Sequence, residues 1–331
     1  MNYDERRAWS VIERYQGCLI GLAVGDALGA PVEFLSLQKI KEKYGSEGIV
    51  DLDRWGNFVP GTYTDDTQMS LATAIGLIKA NQSTLKNEPN DDINFVYRHY
   101  MEWFETQKDP QQRRGPGHTC LSALGSGEMG TPERKFNNSK GCGGVMRTAP
   151  AGLAFPPGVA FLKGCKFAAI THGHPSGYLP AGFLAEMIAW ILAGKNLDES
   201  IESSLSELVK YRGHTETVQK VNLARTLARS SVTVEEAVRQ IGEGWVGEEA
   251  LAVAVYCSLK LPKNWEKAVL AAVNHSGDSD STASITGAIL GALLGIQGVP
   301  DRWVRSLENS GMILSIANDL YRVFQEKITF T

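Results

Sequence analysis

The stretch "HSGDSDST", residues 275–282, sets Asp278 and Asp280 one residue apart among hydroxyl side chains, directly ahead of the apolar run "ASITGAILGALLGI". A second stretch, "GTYTDDTQMS", sets Thr64, Asp65 and Asp66 ahead of an apolar helical pattern through Met69, Ala72, Ile75 and Leu77. Each alone reads as a helix cap, because Asp, Ser and Thr accept bonds from the orphan N–H groups of a first turn and suit its positive dipole end. Asp65 with Gln68 three residues on has the form of a capping box. The two starts together allow a second chemistry. Four carboxylates gathered in a partly dry pocket repel one another and take up protons unless cations compensate them.

The donors are all oxygen: Thr64, Asp65, Asp66, Asp278, Asp280 and the hydroxyl of Ser281 or Thr282. No cysteine or histidine directly adjoins either cluster, which favours magnesium, manganese or calcium over zinc. An EF-hand started at Asp278 fails, since Ala283 stands where glycine is needed and Ile289 where a bidentate glutamate is needed. Two six-coordinate ions sharing carboxylates fit the donors better. Other motifs fail on context. "GSGEMG" at 125–130 matches a dinucleotide fingerprint by letter, but no strand precedes it. There is no G-x-S-x-G elbow and no P-loop. His172 and His174 in "THGHPSG" read as hydrogen-bonding or structural residues, with His172 kept as a ligand contact.

Helices must position these groups. Apolar residues recur at helical spacing and alternating strand patterns are scarce, so the chain reads as mainly α. Helices are expected at about 7–28, 66–80, 91–107, 118–126, 180–193, 199–211, 216–229, 233–241, 248–260, 264–273, 281–296 and 311–326. Two of them carry glycine every fourth residue, Gly17, Gly21, Gly25 and Gly29 in one and Gly287, Gly291 and Gly295 in the other. Glycine costs about 1 kcal/mol against alanine inside a helix, so these stripes call for close backbone packing. The expectation is two central helices in mutual contact.

The totals bound the rest. The chain has 331 residues, 43% hydrophobic and 21% charged, with net charge −4. That is an ordinary globular composition with no basic stripe for nucleic acid. Five scattered cysteines, none in a C-x-x-C spacing, argue against a disulfide framework and for a reducing cytoplasm. The N-terminus lacks an apolar signal region, and no apolar run reaches the ~20 residues of a membrane span. No linker or repeat divides the chain, so one domain over residues 1–331 is expected, with 1–14 as the N-terminal extension of the first helix.

In chain order, "GCLIGLAVGDALGAPVEF", "GTYTDDTQMS", "GCGGVMRTAP", "THGHPSGYLPAG", "GEGWVGEEALAVAVYC" and "NHSGDSDSTASITGAILGALLG" resemble the ADP-ribosylglycohydrolase family, whose bacterial prototype is the dinitrogenase reductase-activating glycohydrolase. The likeness covers about residues 15–325. It implies an all-α, single-domain orthogonal helical bundle and a binuclear Mg2+ or Mn2+ site. The implied reaction cleaves ADP-ribose from a modified protein side chain, arginine first. The metal ligands carry over to Thr64, Asp65 and Asp66 and to Asp278, Asp280 and Ser281, where the family's Asp-x-Asp-Thr ending reads Asp278-Ser279-Asp280-Ser281. Glu33 matches the acidic residue that the family uses near the scissile bond. Gly115, Gly117, His118 and Thr119, with Gly143, Gly144, Met146 and Arg147, match the loops that embrace diphosphate and ribose. Physical chemistry agrees with the assignment. Metal ions bind vicinal ribose hydroxyls, a carboxylate relays a proton to the leaving atom, glycine loops bring backbone N–H groups close to phosphates, and Arg147 or Arg114 adds charge. The implied partners are ADP-ribose and an ADP-ribosylated protein, bound by a monomer. Other readings are a noncatalytic, crystallin-like ADP-ribose binder, an immunity protein against an ADP-ribosylating toxin, and a dimetal phosphohydrolase.

Overall fold

The computed structural model describes residues 10–84 and 91–325. Its centre is built by the glycine stripes. Helix α1 (Val11–Gly29) and helix α14 (Ser279–Leu294) lie antiparallel with their backbones in contact. A Cβ built on Gly17, Gly21 or Gly25 would come under 3.0 Å from the backbone of Gly291, Gly287 or Ala283 in turn, and Gly287 and Gly291 return the contact. Any side chain there would force the pair apart. Gly295 does not extend α14 as expected; it ends the helix at φ +70, a left-handed conformation natural to glycine.

The other helices wrap this pair. In chain order they are α2 (Leu37–Tyr44), α3 (Asp65–Thr84), α4 (Asp92–Thr106), α5 (His118–Gly125), α6 (Ala149–Ala154), α7 (Val159–Ala169) and α8 (Pro175–Leu192). After these come α9 (Leu197–Leu208), α10 (Thr215–Ala228), α11 (Val234–Ile241), α12 (Gly247–Lys260), α13 (Trp265–Val273), α15 (Asp301–Ser306) and α16 (Ser310–Phe324). Short 3-10 turns lie at Cys142–Gly144 and Ile296–Gly298, and no strand occurs among the described residues. The fold is therefore all-α. Helices α12 and α13 pack on α14, α16 packs on α1, and α3 packs on α4 and α16. Trp265 of α13 pins the centre by donating its indole N–H to the Gly287 carbonyl at 3.1 Å. No helix is long and apolar enough to cross a membrane among the described residues.

Four helices escape the periodicity reading. Helix α2 spans eight residues and fully buries only Ile40, so its apolar stripe of Leu37, Ile40 and Tyr44 is a thin signal. Helices α6 and α15 have six residues each, too short for a repeat to register. Helix α7 follows the Pro156-Pro157-Gly158 turn, whose breakers mask it. Helix α8 begins at Pro175 rather than 180, because Pro180 sits inside it and not at its start. The first helix starts at Val11 rather than residue 7, and residues 1–9 lie outside the described residues.

Candidate active site

Antiparallel pairing of α1 and α14 has a chemical result: the end of one helix meets the start of the other. A Cβ on Gly29 would come under 3.0 Å from the backbone N and Cα of Asp280. Just beyond Gly29 the chain turns, with the Glu33 N–H donating to the Gly29 carbonyl at 3.0 Å. This turn swings the half-buried Glu33 back over α14. Glu33, Asp278 and Asp280 then each present a carboxylate oxygen within 4.8 Å of the others.

The third element, α3, is held by a residue that the sequence reading missed. Asp26 of α1 is fully buried. Its Oδ1 accepts the Thr64 N–H at 2.9 Å, and its Oδ2 accepts the Thr67 N–H at 2.9 Å and the Thr67 hydroxyl at 2.5 Å. Asp26 thus caps α3 from another helix. Asp65 and Asp66 are released from that duty: the Asp66 N–H donates to Thr64 Oγ1 at 3.3 Å, and Asp66 Oδ2 is buried with no partner. The capping box expected from Asp65 and Gln68 does not form, because Gln68 Oε1 accepts the Trp103 indole N–H and its amide donates to Gln112. At α14 capping and clustering coexist, since Asp278 Oδ1 accepts the Ser281 N–H at 3.2 Å. The signal for Asp26 was a lone charge inside "GLAVGDALGA".

Electrostatics follow from burial without any basic side chain to compensate. Burial pushes Glu33 up to about 9, helped by the charges of Asp278, Asp65 and Asp26. Asp65 rises to about 8 through burial, against the opposing bond from the Gly117 N–H. Asp26 rises to about 6 through burial, opposed by its bonds from Thr67 and Thr64. Asp66 and Asp280 are also held well above the carboxylate range, by burial first and neighbouring carboxylates second. The close oxygens of Glu33, Asp278 and Asp280, with the orphaned Asp66 oxygen in the same wall, could hold a hard cation. A sulfur is also present: Cys142, distant in sequence from both clusters, donates its S–H to Asp278 Oδ2 at 2.7 Å.

These groups line a cavity of about 350 Å3, with Glu33, Asp65, Asp66, Asp278, Asp280 and Ser281 in its wall. The same wall includes Gly115, Gly117, His118, Thr119, Gly143, Met146 and His172. The size suits a small-molecule site. A wider open groove of about 710 Å3 between Lys263 and Val304 holds none of the residues expected to act.

A model of the ADP-ribosylglycohydrolase family matches residues 8–329. The chain belongs to that family. It is 27% identical to the ADP-ribosylhydrolase ARH3 of Bos taurus, over 96% of this chain and 94% of that one. It is 26% identical to the ADP-ribosyl-[dinitrogen reductase] glycohydrolase of Rhodospirillum rubrum, over 90% of this chain and 92% of that one. A solved structure titled "ADP-ribosylglycohydrolase-related protein complex" shares the fold, with TM-score 0.71 and 24% identity over 95% of this chain and 99% of that one.

Within this ADP-ribosylglycohydrolase fold, not every residue expected at the cavity reaches it. Thr64, Gly144 and Arg147 do not line it. Thr64 is buried behind Asp66. Gly144 serves packing, since a Cβ there would collide with the Gly177 carbonyl. Arg147 is fully buried, donates to Thr171 Oγ1 at 2.6 Å and to the Phe167 carbonyl at 3.2 Å, and lies 4.4 Å over the Tyr100 ring. Arg114 pairs with Glu308, 3.0 Å between Nη2 and Oε1, and stacks on Tyr63. Neither guanidinium is free for a diphosphate. His172 does reach the wall, with Nδ1 2.8 Å from Thr171 Oγ1. Burial first, then Arg147, holds it down to about 3, so it stays neutral. Helix α5 starts inside the wall, and the backbone before it is fixed by Asp65 Oδ2 accepting the Gly117 N–H at 3.3 Å.

Proposed function

We propose that this chain is a cation-dependent hydrolase releasing ADP-ribose from a modified protein side chain, with arginine as the first linkage to test. One observation carries the reading: Asp65 and Asp66 of α3, Asp278 and Asp280 of α14 and Glu33 after α1 share one cavity, while a buried carboxylate oxygen of Asp66 lacks a partner. Asp65, Asp66, Asp278, Asp280 and Ser281, which line the cavity, would hold two Mg2+ or Mn2+, with Thr64 supporting Asp66 from behind. Such ions fix the vicinal hydroxyls of the distal ribose and withdraw charge from the anomeric carbon.

The chain's own groups do the rest. Glu33, in the cavity wall beside Asp278 and Asp280, would hand a proton to the departing nitrogen and then accept one from the incoming water. Backbone N–H groups of Gly115, His118, Thr119 and Gly143, all in the cavity wall, would approach the diphosphate. Cys142 and Ser281 hold Asp278 by two bonds. The reading covers one domain whose core runs from Tyr15 to Leu320. It extends to a monomer in a reducing cytoplasm, where five free cysteines are at home.

The test is ADP-ribose release from arginine-modified protein, with and without chelator, by the wild type and Asp280→Ala. Loss on chelation and in the variant is expected, by a factor of about 100 or more. Release indifferent to both treatments sinks the reading. Tight ADP-ribose binding without turnover points instead to a noncatalytic binder.

A further inference from the structure

We infer that the stacked Phe34–Trp245 pair acts as an aromatic clamp whose outer face takes the planar guanidinium of the modified arginine, and so sets which linkage the site accepts. The inference rests on the proposed hydrolase reading and adds the identity of the departing side chain. The two rings are stacked, with centroids 5.1 Å apart and planes 18° from parallel, and both line the cavity. Core packing does not account for them. Phe34 is 74% exposed and stands at φ +66, a left-handed conformation that a bulky residue adopts only where the surroundings impose it. It directly follows Glu33, so the ring is presented beside the group that handles the leaving atom.

Trp245 is fixed from the other side. Its carbonyl accepts the Cys142 N–H at 3.2 Å, and the neighbouring Glu243 carbonyl accepts the Asp278 N–H at 2.8 Å. Between them Gly244 stands at φ +85, where a Cβ would press on Thr282. The loop carrying Trp245 is therefore tied to two walls of the site. Its indole N–H donates to Glu243 Oε2 at 3.1 Å, which places a carboxylate at the ring edge and leaves the face turned away from Phe34 for stacking.

Stacked aromatic faces with carboxylates at their edge suit a flat, delocalised, weakly hydrated cation. A serine-linked substrate offers nothing to stack. Adenine would stack as well, yet it is neutral and forms no ion pair with Glu243, so the acceptor side chain is the better occupant.

The experiment uses the full chain with magnesium and compares Trp245→Leu, Phe34→Leu and the ring-preserving Trp245→Phe with the wild type. Three quantities are read: kcat/KM on an ADP-ribosyl-arginine peptide, kcat/KM on an ADP-ribosyl-serine peptide, and calorimetric Kd for ADP-ribose and for the arginine conjugate. Both Leu variants should lose about tenfold on the arginine peptide, with Trp245→Phe recovering most of it. Serine turnover and ADP-ribose affinity should stay within about twofold. An equal fall on both peptides, or none, overturns the clamp. A rise in Kd for ADP-ribose itself also overturns it, because the rings would then hold the base. If the wild type binds ADP-ribose but cleaves neither peptide, the hydrolase reading fails separately, and a Leu-variant loss confined to the arginine conjugate still upholds the clamp.

Discussion

Removing cations from this protein should expose a pH-dependent instability whose sign and window follow from two buried groups. Asp65 has an ordinary value of 3.8 and is pushed to about 8 in the folded chain. Between those values the folded state holds a proton that the unfolded state has released, so stability falls as pH rises. Below 6.5 the trend is opposed by His172, whose folded value of about 3 makes the native state bind fewer protons than the unfolded one. The carboxylate effect therefore stands clear only above pH 6.5. From there to about 8, Asp65 alone costs ~2 kcal/mol at 1.36 kcal/mol per tenfold change. Glu33, at about 9, acts in the same direction. For a chain of this length ~2 kcal/mol lowers Tm by roughly 3 °C. Magnesium should cancel the loss, because a cation replaces the proton as the compensating charge. Scanning calorimetry in chelator and in magnesium, from about pH 6.5 to 8.5, measures both effects. A chelated Tm that stays flat or rises across that window would refute the reasoning, as would a magnesium gain no larger at the alkaline end.

Asp26→Asn should cost ~1–3 kcal/mol, since its amide must face one of the three donors of Thr64 and Thr67 that the carboxylate now satisfies. Magnesium affinity, read by titration calorimetry, should fall at least about tenfold although Asp26 is not among the proposed ligands; unchanged affinity would show that the start of α3 needs no such support. Arg147→Leu should lower Tm, by ~2–4 kcal/mol of stability, while ADP-ribose affinity moves less than about threefold. A large affinity loss at unchanged Tm would return Arg147 to the diphosphate.

Much of this site was readable from the chain because its signals are local. Glycine at every fourth position, Gly17 to Gly29 and Gly287 to Gly291, announced two helices in backbone contact, and the structure pairs them. From the two acidic starts, Asp65, Asp66, Asp278 and Asp280 come to one cavity, while Thr64 does not reach it. What stayed hidden depends on relations between distant segments. Asp26 looked like an isolated charge until the start of α3 was seen to rest on it. Cys142 joins Asp278 only through the fold. Arg147 directly follows Met146, which lines the cavity, and nothing local says that its own guanidinium turns inward to Tyr100 and Thr171. Short helices such as α6 and α15 are too brief to display a period, and α7 is disguised by the prolines before it.

The joining of α1 to α14 ties the order of synthesis to the moment at which the molecule becomes competent. Chains emerge amino end first, so Asp26, Glu33 and Asp65 are all present long before Asp278 and Asp280 exist. Until then the α1 stripe has no partner helix and the early carboxylates have no counterpart to share an ion with. Bringing such remote segments together is slow, though the entropy of closing a long loop grows only by ~0.6 kcal/mol per doubling. On the proposed reading, a ribosome-stalled chain ending before Asp278 should therefore be blind to magnesium.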